Sequence, residues 1–247
     1  MAFRDHFSTV AGAYSTARPT YPAALFDWLA STVDRHRRCW DCATGSGQAA
    51  GALAERFDRV VATDASLEQV LHAAAHPGVS YSVAEASASG LAATSVDLVT
   101  VAQALHWLDL EAFRREVRRV VRSGGVCAAW TYALFRVDER IDDRIDEFAE
   151  RTVGTFWPPE RRHVDSGYRT LPLGLEAVET PTFVMRHHWS LDQVLAYVGT
   201  WSAVTRFRRA RGFDPVSDLD AVLEPVWGQR EDSREIRWRV DVVAGRL

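Results

Sequence analysis

A glycine-containing turn follows the first apolar run of the chain and has the residues of a cofactor-binding loop. Residues 39–50 read CWDCATGSGQAA, so Gly45, Gly47 and Ala50 satisfy the pattern G-x-G-x-x-(G/A) before a helix start. Glycine permits positive φ angles and lets a ligand approach the backbone closely. We expect this segment to contact a nucleotide-like cofactor through Asp41, Ala43, Thr44, Gly45, Gly47 and Gln48.

Acidic residues after the next two strands are candidates to hold the polar parts of such a cofactor. Asp64, with its neighbour Ala65, lies about 20 residues beyond the turn, where an acid holds a ribose diol. An aspartate that ends a strand can instead cap the following helix. Glu85 and Ala86 offer a carboxylate for an adenine amino group and a backbone N–H for a ring nitrogen.

The charge of the turn separates two cofactors that the glycine pattern alone leaves open. A dinucleotide places two negative phosphates beside the turn, whereas S-adenosylmethionine has none and carries a sulfonium and an ammonium group. Asp41 would repel the phosphates of a dinucleotide and attract the cationic groups of S-adenosylmethionine. The 29 basic residues are all arginine, so the tyrosine–lysine pair common in oxidoreductases of this size is absent. S-adenosylmethionine is the expected cofactor, and NAD(P) is the alternative.

Residues 102–107, AQALHW, carry the best-placed candidate for an acid–base group. Methyl transfer from a sulfonium is an in-line displacement that needs the acceptor lone pair about 3 Å from the methyl carbon. A hydroxyl acceptor benefits from a base, which His106 would supply, whereas a carboxylate acceptor needs none. His106 could instead only line the pocket or bond the backbone. Ala102, Gln103 and Trp107 belong to the expected cofactor-binding set, the last two at the pocket floor.

These candidates are positioned by an alternation of strands and helices. The apolar runs predict strands over 39–43, 60–64, 79–84, 96–102 and 126–130, with helices around 48–57, 67–75 and 110–121. Asp109 is the expected N-cap of the third helix, and Gly124 its C-terminal glycine. Nearly continuous apolar strands joined by helices imply a parallel sheet covered on both faces, a doubly wound α/β fold. In that fold the ligand lies beyond the carboxyl ends of the strands, where the glycine turn falls.

The alternation breaks after Trp130. Residues 136–153 have helical apolar spacing, segments 180–191 and 235–245 read as strands, and 192–212 reads as a helix. We expect a single domain over 1–247. It divides into a helical N-terminal cap (1–38), a cofactor-binding core (39–130), a lid insertion (131–180) and the last two strands with their helix (181–247).

The lid segment FWPPERRHVDSGY combines aromatic side chains with fixed positive charge. Arginine binds carboxylates in a planar fork, so an acidic small molecule is the preferred acceptor. The candidate substrate-binding residues here are Trp157, Arg161 and Tyr168, with Trp201 closing the same cavity. Tryptophans in such positions can also be core anchors.

Composition and cysteine usage exclude several classes of protein. The formal charge of -4 gives no reason to expect nucleic acid, and no run approaches the ~20 apolar residues of a membrane span. The first residues lack the apolar core of a secretory signal, so a cytoplasmic protein is expected. Cys39 and Cys42 in a strand point to opposite faces, as do His187 and His188, so no metal is expected.

In series, DCATGSG (41–47), Asp64, Glu85-Ala86 and VRSGG (121–125) resemble the class I S-adenosylmethionine-dependent methyltransferases. AYSTARPTYP, WDCATGSGQAA, SVDLVTVAQALHW and TWSAV are similar to the trans-aconitate methyltransferase-like branch. The sequence departs from the family pattern at three positions. Ala43 replaces the usual first glycine, Ser87 replaces an acid that commonly follows the Glu/Asp-Ala pair, and Ser123 replaces the usual proline. The resemblance implies a seven-stranded, mostly parallel Rossmann-like sheet with an antiparallel last strand. It also implies an N-terminal segment that covers the cofactor, with Tyr14 and Arg18 at the cofactor and Tyr21 at the substrate.

The expected function is transfer of a methyl group to a small molecule, with oxygen of an acidic metabolite or natural product favoured as acceptor. The alternatives are an NAD(P)-dependent oxidoreductase and a non-catalytic protein that binds S-adenosylmethionine. We expect a monomer or homodimer.

Overall fold

The computed structural model describes residues 19–247 and shows one mixed sheet with helices on both faces. The strands are β1 Arg38–Cys42, β2 Arg59–Asp64, β3 Val79–Val83, β4 Val96–Ala102, β5 Val121–Tyr132, β6 Glu176–Ala177, β7 Phe183–Trp189 and β8 Arg234–Arg246. Their order is β3-β2-β1-β4-β5-β8, after which β7 and the two-residue β6 both pair with β8. The predicted Rossmann-like sheet of seven main strands is confirmed.

Strands β1 to β5 pair in parallel, and β8 pairs antiparallel with β5. The central strand β4, VDLVTVA, is buried along all but its last residue. Apolar runs of this kind need cover on both faces, which the connecting helices supply. All parallel strands therefore end at one edge, and the glycine turn follows β1 at that edge.

Nine α-helices surround the sheet in the described part of the chain. They are α1 Ala23–Ser31, α2 Ala50–Ala54, α3 Leu67–Leu71, α4 Leu110–Val120, α5 Glu139–Glu147, α6 Arg161–Asp165, α7 Leu191–Gly199, α8 Ser202–Arg211 and α9 Val216–Trp227. Asp109 caps α4 by accepting the N–H of Ala112, as its sequence predicts. Ser66 and Ser190 cap α3 and α7 in the same way.

The predicted helix end at Gly124 is wrong. Helix α4 stops at Val120, because Val121 is already extended and pairs with Val96 as the first residue of β5. Gly124 takes φ 76° inside the irregular start of that strand and donates its N–H to the carbonyl of Leu247. A side chain on Gly125 would lie 2.8 Å from the carbonyl oxygen of Asp97, so the strands approach too closely for any other residue.

The single helix predicted over 192–212 is two helices. Trp201 is extended (φ -62°, ψ 139°) between α7 and α8, and its ring packs on those of Phe148, Trp157 and Tyr197. Burying this indole bends the chain away from continuous helix. Helix α9 was not predicted, although Leu219, Leu223 and Trp227 recur every four residues and are fully buried.

The two faces of the sheet carry separate apolar cores. Cys39 belongs to the core beneath α1 and α2, whereas Cys42 belongs to the core beneath α4. The CxxC pair is therefore split by the sheet. Burial raises the pKa of both thiols well above the usual range.

A buried carboxylate ties the amino end of the sheet together. One oxygen of Asp97 accepts the backbone N–H groups of Arg37 and Arg38 at 2.9 Å each, and the other accepts the Arg122 guanidinium. Arg122 also pairs with Asp34 at 2.6 Å, but the Asp34 side chain is 78% exposed.

Replacing Asp97 with Ala should lower the free energy of unfolding by about 3–5 kcal/mol, because it removes the buried carboxylate that accepts two backbone amides and the half-buried Arg122 guanidinium. Asp34→Ala removes an exposed partner of the same arginine and should cost less than about 1 kcal/mol. Urea unfolding of both variants tests this, and equal losses would contradict the assignment.

Candidate active site

The glycine turn between β1 and α2 is held in a left-handed backbone path. Ala43, Gly45 and Gly47 have φ of 54°, 57° and 83°. Thr44 donates its N–H to the carbonyl of Thr63 at 2.9 Å, which ties the turn to β2. Ala43, which stands where relatives of this pattern have the first glycine, adopts the conformation that glycine takes without strain.

The two glycines of the turn serve different purposes. A Cβ built on Gly45 would have one neighbour, Gln69 Oε1 at 3.8 Å, so the turn presents an open surface there. A Cβ on Gly47 would lie 2.3 Å from the Tyr81 hydroxyl. Gly47 is therefore required by the protein's own packing against β3, and Gly45 is the position that a ligand can approach.

Asp64 at the end of β2 shapes the turn directly. Its carboxylate accepts the N–H of Gly45 at 2.9 Å through one oxygen and the N–H of Ser66 at 2.9 Å through the other. Asp64 is not the N-cap of the next helix, because Ser66 is the N-cap of α3. Asp64 instead orients Gly45 at the edge where a ribose would lie.

Asp41 is fully buried at the end of β1. Its two oxygens accept hydrogen bonds from the hydroxyls of Thr44 at 2.5 Å and Thr100 at 2.8 Å. Burial raises the pKa of Asp41 to about 6, and these two hydrogen bonds oppose the shift. The residue therefore joins the turn to β4.

The remaining predicted cofactor residues flank this turn at different depths. Ala65 is half-buried beside Asp64, and Gln48 is exposed at the start of α2. Glu85 is exposed after β3 and accepts the Ser87 hydroxyl at 3.2 Å, next to the half-buried Ala86. Tyr14 and Arg18 lie outside the described residues.

The carboxyl end of β4 is fixed by the side chain of Gln103. Its Oε1 accepts the Thr131 hydroxyl at 2.8 Å and the Tyr132 N–H at 2.9 Å, and its Nε2 donates to the Tyr132 carbonyl at 3.0 Å. Gln103 has φ 53°, a strained value for a non-glycine residue. The 3-10 turn Leu105–Trp107 then presents His106 and Trp107.

A pocket of ≈ 690 Å³, including its open mouth, lies beside these residues. It combines the ends of β4 and β5 with the segments after β5 and after α7. The lining residues are Gln103, His106, Trp107, Tyr132, Ala133, Leu134, Trp157, Pro158, Arg161, Val164, Tyr197, Thr200, Trp201 and Ser202. Six predicted site residues from distant parts of the sequence therefore meet in one cavity: Gln103, His106, Trp107, Trp157, Arg161 and Trp201.

Arg161 supplies fixed positive charge to this pocket. Its guanidinium carbon lies 4.2 Å from the centre of the Trp157 ring, and Nε donates to Asp165 at 2.7 Å. Trp157 in turn packs against Trp201 and donates its indole N–H to the carbonyl of Ala149. The arginine is thus held flat against an aromatic wall.

The structure places two of the predicted substrate residues behind the wall of the pocket. Tyr168 is fully buried, and its hydroxyl lies 2.8 Å from Nδ1 of His106. Tyr21 is half-buried, with its ring packed edge-on against Trp130 and Tyr132. Neither ring is among the residues that line this pocket.

Several lining residues were missed by the sequence analysis. Tyr132, Ala133 and Leu134 follow a parallel strand, so the rule that ligands lie past carboxyl ends would have found them. Tyr197, Thr200 and Ser202 carry no such signal, because they reach the pocket only through the bend at Trp201.

Known proteins are similar to this chain over the glycine turn and over about nine-tenths of its length. A family model described as a methyltransferase domain matches residues 40–129. A protein of Dictyostelium discoideum described as a methyltransferase is 30% identical over 225 residues, covering 90% of this chain and 86% of that one. A solved structure described as a type II methyltransferase from Anaeromyxobacter dehalogenans is 45% identical, with a TM-score of 0.88 and coverage of 93% of this chain and 97% of its own.

The chain belongs to the class I S-adenosylmethionine-dependent methyltransferases. It is an enzyme, its cofactor is S-adenosylmethionine, and the alternative of an NAD(P)-dependent oxidoreductase is wrong. The described site fits this cofactor, since the turn is open over Gly45 and the carboxylates Asp41, Asp64 and Glu85 lie at or just after the carboxyl ends of β1, β2 and β3. A phosphate-free cation is attracted by such a set.

Residues 19–247 of the methyltransferase contain neither a membrane-spanning helix nor a metal-binding cluster. No helix there has the length and apolar character that crossing a membrane requires. In the same range no three His, Cys, Asp or Glu side chains cluster as a metal site would need. His187, one of the two adjacent histidines considered above, accepts the backbone N–H of Thr20 at 3.1 Å through Nε2.

The raised pKa of Asp41 predicts a pH-dependent cost to stability. The folded-state pKa of about 6 lies above the ordinary aspartate pKa of 3.8, so protonation favours the folded state and ionisation disfavours it. Relative to Asp41→Asn, the wild type should lose up to about 3 kcal/mol of unfolding free energy as pH rises from about 4 through 6. Urea unfolding of both proteins across this range measures the difference, and parallel curves would contradict it.

Proposed function

We propose that this methyltransferase transfers a methyl group to an oxygen atom of a small acidic molecule bound in the pocket of His106, Trp157, Arg161 and Trp201. The single observation that carries the proposal is the Arg161 guanidinium, held by Asp165 on the Trp157 ring in the cavity that His106 also lines. A planar, immobilised guanidinium matches a carboxylate through two parallel hydrogen bonds.

The bound cofactor supplies a methyl group on a positively charged sulfur. The chain's own residues position the reactants, which is worth roughly 7–11 kcal/mol of barrier in well-oriented reactions. We assign cofactor binding to the turn 43–47 with Gln48, to Asp41, Asp64, Ala65, Glu85 and Ala86, and to Ala102, Gln103 and Trp107. Tyr14 and Arg18 complete this set by resemblance.

In the pocket, Trp157 and Trp201 would form aromatic walls and Arg161 would orient the acidic group. His106 would take the proton when the acceptor is a hydroxyl, and a carboxylate acceptor would need no base. The aromatic walls favour a flat acceptor, which stacks on indole rings. Tyr168 would act through its contact with His106, and Tyr21 packs against Tyr132 of the pocket lining.

We further propose that residues 131–180 serve as a lid over the acceptor, within a single domain capped by residues 1–38. Supporting observations are that this segment contributes Leu134, Trp157, Pro158, Arg161 and Val164 to the pocket. A cytoplasmic monomer or homodimer with no nucleic-acid partner remains the prediction.

Replacing Arg161 with Gln should raise KM for a carboxylate-bearing acceptor by about 10- to 100-fold, because a hydrogen bond to a charged group contributes about 1.5–3 kcal/mol. The measurement is methyl transfer to a panel of small acids and to their uncharged esters. Esters should bind both proteins equally. Arg162→Gln is the matched control, since the Arg162 side chain is exposed on the neighbouring position of α6. An equal effect of the two variants would overturn the role of Arg161.

Replacing His106 with Gln should lower kcat for hydroxyl acceptors by about 10²–10⁴ and change the dependence of rate on pH, because the variant lacks a base. Carboxylate acceptors should retain their rate. An unchanged rate and pH profile for every hydroxyl acceptor would remove the base from the mechanism.

A further inference from the structure

A second concave site lies at the amino edge of the sheet, opposite the edge that carries the glycine turn. Its volume is ≈ 560 Å³ including the open mouth, and it is lined by Arg37, Arg38, Asp58, Arg59 and Ser95. These residues stand at the starts of β1 and β2 and just before β4. Three of the five lining side chains are arginines, although the formal charge of the whole chain is -4. We call this site the arginine pocket.

Main-chain hydrogen bonds hold the backbone of these arginines in place. Asp97 accepts the N–H groups of Arg37 and Arg38 at 2.9 Å each, and the carbonyl of Arg37 accepts the N–H of Arg59 at 3.1 Å. Arg38 also pairs in register with Arg59 across the parallel strands β1 and β2. Neighbouring strands lie about 4.8 Å apart, and register partners share a face of the sheet, so two side chains of like charge stand side by side.

The protein leaves the positive charge of the arginine pocket uncompensated. Within residues 19–247, neither Asp58 nor any other carboxylate forms an ion pair with its three arginines. Arg122, by contrast, pairs with both Asp34 and Asp97, so the buried carboxylate that fixes this edge is already engaged. Like charges side by side on paired strands repel one another and destabilise the sheet. An anion that neutralises Arg38 and Arg59 together would therefore stabilise the protein.

The donors of the pocket match phosphate groups. A guanidinium offers planar N–H donors that bind phosphate oxygens bidentately, and a linked pair of phosphates carries enough charge to engage several of them. The Ser95 hydroxyl donates to the Ala92 carbonyl at 2.7 Å, so it offers no proton to a ligand. The lining, as the structure describes it, has no aromatic ring on which a base could stack. Recognition would therefore depend on the phosphates alone.

We propose that the arginine pocket binds a ligand with two or more linked phosphate groups. Arg38 and Arg59 would hold the phosphates from one face of the sheet, and Arg37 would add a third guanidinium. The pocket lies at the edge away from the glycine turn, so its ligand is separate from S-adenosylmethionine and from the methyl acceptor. Inorganic pyrophosphate and a nucleoside diphosphate share this chemistry, and the test distinguishes them.

The test is isothermal titration calorimetry of the full chain with phosphate, pyrophosphate, tripolyphosphate and ADP. Saturating S-adenosylhomocysteine keeps ADP out of the adenosine site. Affinity should rise with the number of phosphates, and ADP should bind as pyrophosphate does. Tighter binding of ADP would instead identify a nucleotide as the source of the phosphates and would still support the site. Arg38→Gln and Arg59→Gln should each weaken pyrophosphate binding by about tenfold or more, because each removes charge-assisted hydrogen bonds.

Arg35→Gln is the matched control, because Arg35 belongs to the same basic run, RHRR over 35–38, but does not line the pocket. At about 0.15 M salt it should change the affinity for pyrophosphate by less than about twofold, since charges outside direct contact are screened. An equal loss in Arg35→Gln and Arg59→Gln would mean that a diffuse positive surface attracts anions, and it would overturn the proposal. Pyrophosphate that binds no tighter than phosphate would be an adventitious ion only, with the same consequence.

Thermal unfolding gives a second readout that does not depend on measuring affinity. Pyrophosphate should raise the Tm of the wild type and leave that of Arg59→Gln unchanged, because a ligand stabilises only the protein that binds it. The Arg59 side chain is exposed, so this variant keeps the core intact. Equal Tm shifts in the two proteins would overturn the site. The affinity for S-adenosylhomocysteine should be the same in both, which separates this pocket from the methyltransferase site.

Nucleic acid is the competing ligand for a basic surface. A single-stranded oligonucleotide should bind the wild type no more tightly than tripolyphosphate does, because the pocket offers its bases no stacking partner. Much tighter binding of the oligonucleotide, lost in Arg38→Gln, would make nucleic acid the ligand and overturn the proposal.

Discussion

The buried carboxyl group of Asp41 is the constraint on which the active site depends. It ends β1, receives the hydroxyls of Thr44 from the glycine turn and Thr100 from β4, and lies out of contact with solvent. The turn and the central strand are therefore fixed to one another through this carboxyl group. Its burial disfavours its ionised form. A cationic cofactor beside the turn would offset part of that cost, which couples the stability of the site to the charge of its ligand.

The site also contains strained backbone, which hydrogen bonds from neighbouring strands hold in place. Ala43 and Gln103 take left-handed φ angles at the ends of β1 and β4, and each is fixed by a neighbouring strand. Thr44 bonds Thr63 on β2, and Gln103 bonds Tyr132 on β5. Parallel strands bring these ends to one edge, so local strain is supported by the whole sheet.

The acceptor pocket is organised by a different part of the chain. Packing of Trp201 against Phe148 and Trp157 bends the path between α7 and α8, and the same packing presents Arg161 on an aromatic face. His106 joins this wall from the opposite side and is backed by Tyr168. The proposed cofactor and acceptor sites thus meet at the ends of β4 and β5, beside the pocket.

The sequence by itself determined the parallel sheet, the glycine turn and the cofactor class, because apolar periodicity, glycine spacing and the charge of Asp41 are local properties. It also indicated Trp157, Arg161 and Trp201 by residue type alone. Only the tertiary structure decided that Tyr168 lies behind His106, that the Tyr81 side chain packs against Gly47, and that the helix before Ser202 ends at Trp201. These outcomes depend on contacts between residues far apart in the chain, and no local pattern encodes which side chain fills a given cavity.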